Sequence, residues 1–382
     1  MMFYDANRRG SRIAARILIA LLIVAGGIGI AGHGQISSGE LADIRAVIES
    51  AKSTRATAAA SMDFAQGTMH ANDFQSAITS TRRAVADYDQ LAASASLTRF
   101  TSDSPFAQFV FTPRATLLGT VDRLNNAANT MQTQTAALID AMETSFANDF
   151  RTDGGHWMVQ VDDPAAINEL VSRYGKQRSY QTLQEHLDDL KSLYNLEQRV
   201  RQQVADSIAA VHAGETNAAQ IAVPTEAGAM DAAGWLGTAQ SVASTLGVQV
   251  KQTSVYGCPG ADDNGDDNAD MVIGFFCGGS QASRNEVNML TTHPEWPAVE
   301  RSPLLVDYTK HELAHRSIMI VCGTTEPEIA ANRTEAVTNS YAVQFLGASR
   351  ERIAGSQQGL AAYAMDAQSD QIAQSIHNGT CA

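Results

Sequence analysis

The chain has 382 residues, of which 27 are Lys or Arg and 41 are Asp or Glu, for a formal net charge of −14. So acidic a surface repels polyphosphate, which excludes nucleic acid as a partner. Aromatic residues make up only 6% while Ala and Thr are abundant, a composition that suits a helix-rich protein.

The first predicted element is an apolar run from Ile13 to Gly32, interrupted only by Arg16, whose long side chain can reach the interface. About twenty apolar residues suffice to cross a bilayer. Arg8, Arg9, Arg12 and Arg16 crowd its N-terminal side and no basic residue follows it closely, so the expected topology is a cytoplasmic N-terminus with everything after residue 33 outside. The expectation is therefore a single-pass anchor over residues 1–36, with the cell membrane as one partner. The rival reading is a cleaved signal peptide with Gly29 and Ala31 at the cleavage site, which exports the same residues.

Ser37 and Glu40 then form a capping box, followed by Leu41, Ile44, Val47 and Ile48 on one helical face. Helical segments are predicted to about residue 148, with breaks near Gly67 and from Thr101 to Pro113. Asp153-Gly154-Gly155 reads as a turn, and Asp163-Pro164 as an N-cap with Pro at the first helical position. A long amphipathic helix is expected from Tyr180 to His212, carrying Leu183, Leu187, Leu190, Leu193, Val200, Val204, Ile208 and Val211. Residues 37–220 thus read as a helical bundle or stalk whose apolar stripe packs on itself.

A second domain is predicted over 221–382. Residues 229–246 suit a helix, Val248, Val250 and Val255 and then residues 271–276 suit strands, and the fold class is mainly α with a small β-sheet (α+β). Between the strands, Asp262, Asn264, Asp266 and Asp270 make an acidic loop with the one-three-five spacing of a calcium site. Asp267 stands where an EF-hand has Gly and Ile273 where it has Glu, so the loop is not an EF-hand, and a Ca²⁺ site competes with a solvated acidic turn.

The sequence with a mechanism attached is His311-Glu312-Leu313-Ala314-His315, an HExxH motif in a predicted helix from Leu304 to Ile320. Residues four apart on a helix lie one above the other, so both imidazoles can bind one Zn²⁺ while Glu312 is placed to take a proton from water. Cys322-Gly323-Thr324-Thr325-Glu326-Pro327 supplies a stop and a loop, and a second helix follows over Asn332 to Leu346 with Glu335 near its start. Ile318 and Val321 exclude the HExxHxxGxxH extension. Glu335 is the expected third ligand, with Glu326 and Glu328 as alternatives on a less rigid loop.

HExxH followed by a Glu on a helix about twenty residues later resembles the gluzincin branch of the zincin metallopeptidases, of which thermolysin is the familiar member. The resemblance covers residues 225–382 and implies a minimal zincin domain, one zinc ion held by His311, His315 and Glu335, and Glu312 as general base in peptide hydrolysis. It further implies a sheet-edge strand that binds the substrate backbone. In the family the Glu begins an ExxxD pair whose Asp orients the first His. Here that position is Asn339, and Arg316 and Ser317 follow the second His where the family has uncharged and apolar residues. Related enzymes add a His or Tyr at the oxyanion, and Tyr341, Tyr308, His293 and His377 are the candidates.

Cys258, Cys277, Cys322 and Cys381 all fall in the last third, and an even count in an exported domain favours disulfides. Three pairings are possible. Cys258 with Cys277 and Cys322 with Cys381 is the expected one, the first clamping a hairpin and the second tying the C-terminal tail to the loop after the motif helix. No CxxC pair offers a metal site. The leading expectation is a membrane-anchored, extracytoplasmic zinc peptidase acting on peptides or proteins. The alternative is an envelope binding or scaffold protein with a silent zincin domain.

Overall fold

The computed structural model describes residues 36–95, 100, 114–161, 163–176, 178–226, 228–258, 272–278 and 283–382. The apolar run of the expected anchor and the acidic loop with Asp262, Asn264, Asp266 and Asp270 lie outside the described residues. Among the described residues no helix is long and apolar enough to cross a membrane.

The chain forms mainly helices with one small sheet and divides into two compact units, Met1–Met62 with Ser76–Thr135, and Asp63–Gln75 with Ala136–Ala382. Three helices supply the first unit: α1 (Ser38–Gly67), α2 (Gln75–Ser94) and the leading part of α3 (Arg114–Gln160). Ser37 and Glu40 cap α1 reciprocally, as expected, with each backbone N–H donating to the other's side chain. Ile44, Ile48, Ala51 and Ala58 of α1 meet Ala84 and Tyr88 of α2 and Leu117, Leu124 and Met131 of α3. Their spacings of three, four and seven keep each helix's apolar residues on one side, so burial of that stripe drives association.

In the second unit the trailing part of α3, α4 (Ala165–Gly175) and α5 (Leu183–Gln220) enclose Trp157, Ile167, Leu170, Leu193, Leu196 and Val200. α3 runs straight through Asp153-Gly154-Gly155, which corrects the expected turn. The Phe150 ring lies where a Cβ on Gly154 would fall, at 2.8 Å, and stacks on Tyr174 at 4.8 Å. The glycine therefore serves packing, and the helix absorbs its propensity cost of about 1 kcal/mol. α4 begins one residue later than predicted, with Pro164 rather than Asp163 at the N-cap, and Asp163, one residue before the cap, accepts from the Ala165 N–H at 3.0 Å.

α5 starts at a Thr182/Glu185 capping box and extends to Gln220 rather than ending at His212. Its last turns, with Val211 and Ala218, join the larger core built from α6 (Ala232–Ser244), the sheet and the helices beyond. For that reason the division into units falls at 135/136 instead of the expected 220.

The sheet has three strands, β1 (Gln249–Thr253), β2 (Gly274–Phe276) and β3 (Glu286–Leu290), in the order β1-β3-β2. β1 runs parallel to β3 with Val250 opposite Val287, and β2 antiparallel with Phe276 opposite Val287. The central strand, β3, was absent from the sequence expectations. After α7 (Trp296–Val299) comes α8 (Leu304–Cys322), buried on nearly every side and ended by Gly323 at φ 73°. α9 (Thr334–Phe345), α10 (Arg350–Ser356) and α11 (Ala367–His377) complete the unit. Both expected disulfides are present, Cys258–Cys277 and Cys322–Cys381.

Candidate metal centre

Two helices present the predicted ligands face to face. On α8, His311 and His315 stand one turn apart with their rings edge to face at 4.8 Å. On α9, Glu335 lies in the first turn and Asn339 one turn on. The Glu335 carboxylate Oε2 sits 3.1 Å from His311 Nε2 and 3.5 Å from His315 Nε2. The three ligand atoms all fall within 4.8 Å of one another.

The protonation pattern can be deduced from what surrounds Asn339, which is fully buried. One end of its amide is 3.0 Å from the backbone carbonyl of Tyr363 and 2.7 Å from Gln357 Oε1. A backbone carbonyl only accepts, so that end must be the NH₂. The other end, 2.8 Å from His311 Nδ1, is then the amide oxygen, and His311 Nδ1 must carry a hydrogen. His315 follows the same logic. Thr338 spends its hydroxyl hydrogen on the Thr334 carbonyl at 2.9 Å, leaving its oxygen to accept from His315 Nδ1 at 3.4 Å. Both imidazoles thus aim Nε2 at one carboxylate oxygen.

A neutral imidazole would point an Nε2 lone pair at that carboxylate, an arrangement that demands a positive charge. Burial works against a charge on His311, but Glu335 and Glu312 beside it outweigh burial and push its pKa up to about 9. Burial raises the Glu335 carboxyl, and the two imidazoles overcome this and hold it well below the usual carboxylate range. Glu335 Oε2 is buried between the two Nε2 atoms. Two imidazole nitrogens and one carboxylate oxygen, fixed in orientation from behind, fit a divalent metal ion.

Glu312 shares the pocket. It is 5% exposed, and burial pushes its carboxyl pKa up against the pull of both imidazoles. Its side chain lies over the backbone of Gly274 at the start of β2, where an added Cβ would fall 3.2 Å from Glu312 Cγ and Oε1. β2 is an edge of the three-stranded sheet, so the carboxylate and the strand edge are neighbours.

Arg316 turns away from the ligands. It donates from Nε to the Arg284 carbonyl at 2.9 Å and thereby ties α8 to the turn entering β3. Glu326 and Glu328 are exposed and stay outside the ligand group. Tyr341 does not reach the site: fully buried, it donates its hydroxyl to Glu215 at 2.9 Å on another face of α9, so the oxyanion role expected for it is withdrawn. His377 belongs to that same neighbourhood, 3.2 Å from the Tyr341 hydroxyl. His293 accepts through Nδ1 from the Glu295 N–H at 3.2 Å. Tyr308 is buried on α8 beside Ser356.

The residue that the sequence reading missed is Tyr363. Its ring centroid lies 6.0 Å from that of His311. Burial first, then the nearby carboxylates of Glu335 and Glu312, push its phenol pKa upward, so the hydroxyl keeps its proton at any ordinary pH. Nothing in the surrounding Ala361-Ala362-Tyr363-Ala364 marks it, because the segment is a short 3-10 turn without periodicity. Among the described residues two further groups have metal-ligand spacing, Asp140–Glu143–His186 and His212–Glu215–His377. The first already holds a cation, since Arg178 pairs with Glu143 at 3.0 Å. No family model matches this chain, and no curated protein or solved structure matches it either.

Proposed function

We propose that the chain is a zinc-dependent peptidase of the zincin type, anchored by its N-terminal apolar run with the second unit outside the cytoplasm. The observation that carries this reading is the convergence of two Nε2 atoms, both orientation-locked through Nδ1, on the Glu335 carboxylate, with a buried glutamate next to them. Nitrogen-rich donors of intermediate softness favour zinc over calcium or magnesium, which prefer oxygen cages. When bound, zinc supplies a Lewis acid and makes water nucleophilic at neutral pH.

The chain's own residues do the rest. Asn339 and Thr338 hold the imidazoles in the tautomer that offers Nε2. Glu312, its carboxylate over Gly274, accepts the proton of the attacking water and returns it to the leaving amine. A carboxyl pKa raised by burial suits this double duty, because it brings the group nearer the operating pH. Tyr363, protonated and with its ring beside that of His311, is the donor we assign to the oxyanion of the tetrahedral intermediate. The outer edge of β2, next to Glu312, suits an extended peptide added as a further strand, which supports peptides or proteins as the substrate class. The two disulfides accord with an oxidising compartment.

The test is hydrolysis of an unfolded protein substrate by the full chain in detergent, with cleavage products read by mass spectrometry. Cleavage should stop with a zinc chelator and return on adding zinc. Cleavage indifferent to chelator, or none with zinc bound, would refute the reading.

A further inference from the structure

The other face of α9 carries a second cluster that the proposed reaction does not use. His212 and Glu215, one turn apart near the end of α5, meet His377 at the last turn of α11, and their ligand atoms lie within 4.8 Å of one another. Glu215 is 1% exposed. Its Oε1 accepts from the Tyr341 hydroxyl, while Oε2 has no hydrogen-bond partner and sits 3.3 Å from His377 Nδ1. His212 Nε2 is also buried without a partner.

Two buried polar atoms left unpaired in one cluster cost about 1–3 kcal/mol each, which a native chain rarely tolerates without a ligand. The imidazoles are held in place. They stack on each other at 4.0 Å, and Phe345 covers the far face of His377 at 3.8 Å. A cleft lined by Thr216, Gln220 and Gln344 as well as the cluster opens it to solvent, and no Lys or Arg lines that cleft. Among the described residues no Arg or Lys pairs with this carboxylate as Arg178 does with Glu143.

We propose that His212, Glu215 and His377 form a second divalent-metal site, of the zinc class, which fastens the ends of α5 and α11 together. Tyr341 couples it to α9, because its hydroxyl bond to Glu215 anchors the helix that presents Glu335 and Asn339 on a different face. Two imidazoles and one carboxylate match the donor set of zinc, and the solvent-facing cleft provides the entry path. This site stands independently of the peptidase reading.

The test is zinc per chain, measured on the full chain after chelator treatment, reloading and removal of excess metal. Wild type should hold about two equivalents, and His212→Ala and His315→Ala about one each. Cobalt loaded into His315→Ala should give ligand-field absorption that disappears when His212→Ala is added. His377→Gln, at a partly exposed position, serves as the second variant should His212→Ala fail to fold, and should also lose one equivalent. Wild type with one equivalent that survives His212→Ala or His377→Gln and vanishes with His315→Ala would overturn the second site alone. One equivalent lost with His212→Ala but kept in His315→Ala would uphold it and refute the His311–His315–Glu335 centre instead. Wild type that binds no zinc overturns both.

Discussion

Asn339 is where a single side chain decides what its neighbours can do. Aspartate at this position would orient His311 equally well, yet here it would set a carboxylate oxygen 3.0 Å from the Tyr363 carbonyl, acceptor against acceptor in a fully buried place. The amide resolves this by accepting from His311 and donating to Tyr363 and Gln357. Asn339→Asp should therefore cost about 1–3 kcal/mol of stability while the ligands remain. Thermal unfolding checks it, and a variant as stable as wild type would contradict the assigned amide orientation. The same network sets a pH dependence. A His311 pKa raised to about 9 stabilises the metal-free fold fully below the unfolded value near 6.5 and ceases to as pH rises through 9. At pH 7 His311 consequently carries a proton that an arriving metal ion must displace. Zinc binding at pH 7 should release about one proton, fading above pH 9. Calorimetry in buffers of different ionisation heat measures this, and no release at pH 7 would count against it. His311, His315, Glu335 and Asn339 could be read from the sequence because each pair is one turn apart on one helix, a local spacing. Tyr363 and Gln357 could not, since they meet Asn339 only through the packing of a non-periodic segment.

At the scale of elements, the site depends on α8 and α9 facing one another and on β2 passing beneath Glu312. α8 is held from several directions. Gln160 donates to the Ile320 and Val321 carbonyls, Lys310 to the Gly347 carbonyl, and Asp307 pairs with Arg352. Buried charged groups on a motif helix read from sequence as a solvated face, so these ties were invisible before the fold was known. Gly274 shows how closely the strand is fitted. An alanine Cβ there would press on Glu312 at 3.2 Å. Gly274→Ala should lower kcat/KM about tenfold or more with zinc content unchanged, because displacing a general base by a fraction of an ångström is costly. Unaltered kinetics would show that Glu312 does not work from this position. The motif and ligand helices were legible through helical spacing and the Gly323 stop. β3 was not, because only Val287 and Met289 alternate in a five-residue strand, too short a pattern to separate from a loop. Gly154-Gly155 misled in the opposite direction, since packing of Phe150 overrode local propensity.

For the molecule as a whole, composition conveyed the helical character, and the pairing expected from the positions of the four cysteines is the one present, but neither conveyed where the compact units divide. That boundary depends on the end of α5 burying Val211 and Ala218 against α6 and the sheet, contacts between residues far apart in the chain. The Cys322–Cys381 bond closes a loop with a separation of 59 residues that contains all of α9, α10 and α11, so the entire segment bearing Glu335 is fastened at both ends to the motif helix. The account as a whole requires that metal binding and catalysis be separable at one residue. The most direct measurement is zinc content and peptide hydrolysis on the same preparations of wild type and Glu312→Gln. The account predicts equal zinc in both and hydrolysis reduced at least about a hundredfold in the variant, the contribution expected of a general base. Undiminished hydrolysis in Glu312→Gln, or zinc lost together with the carboxylate, would contradict it.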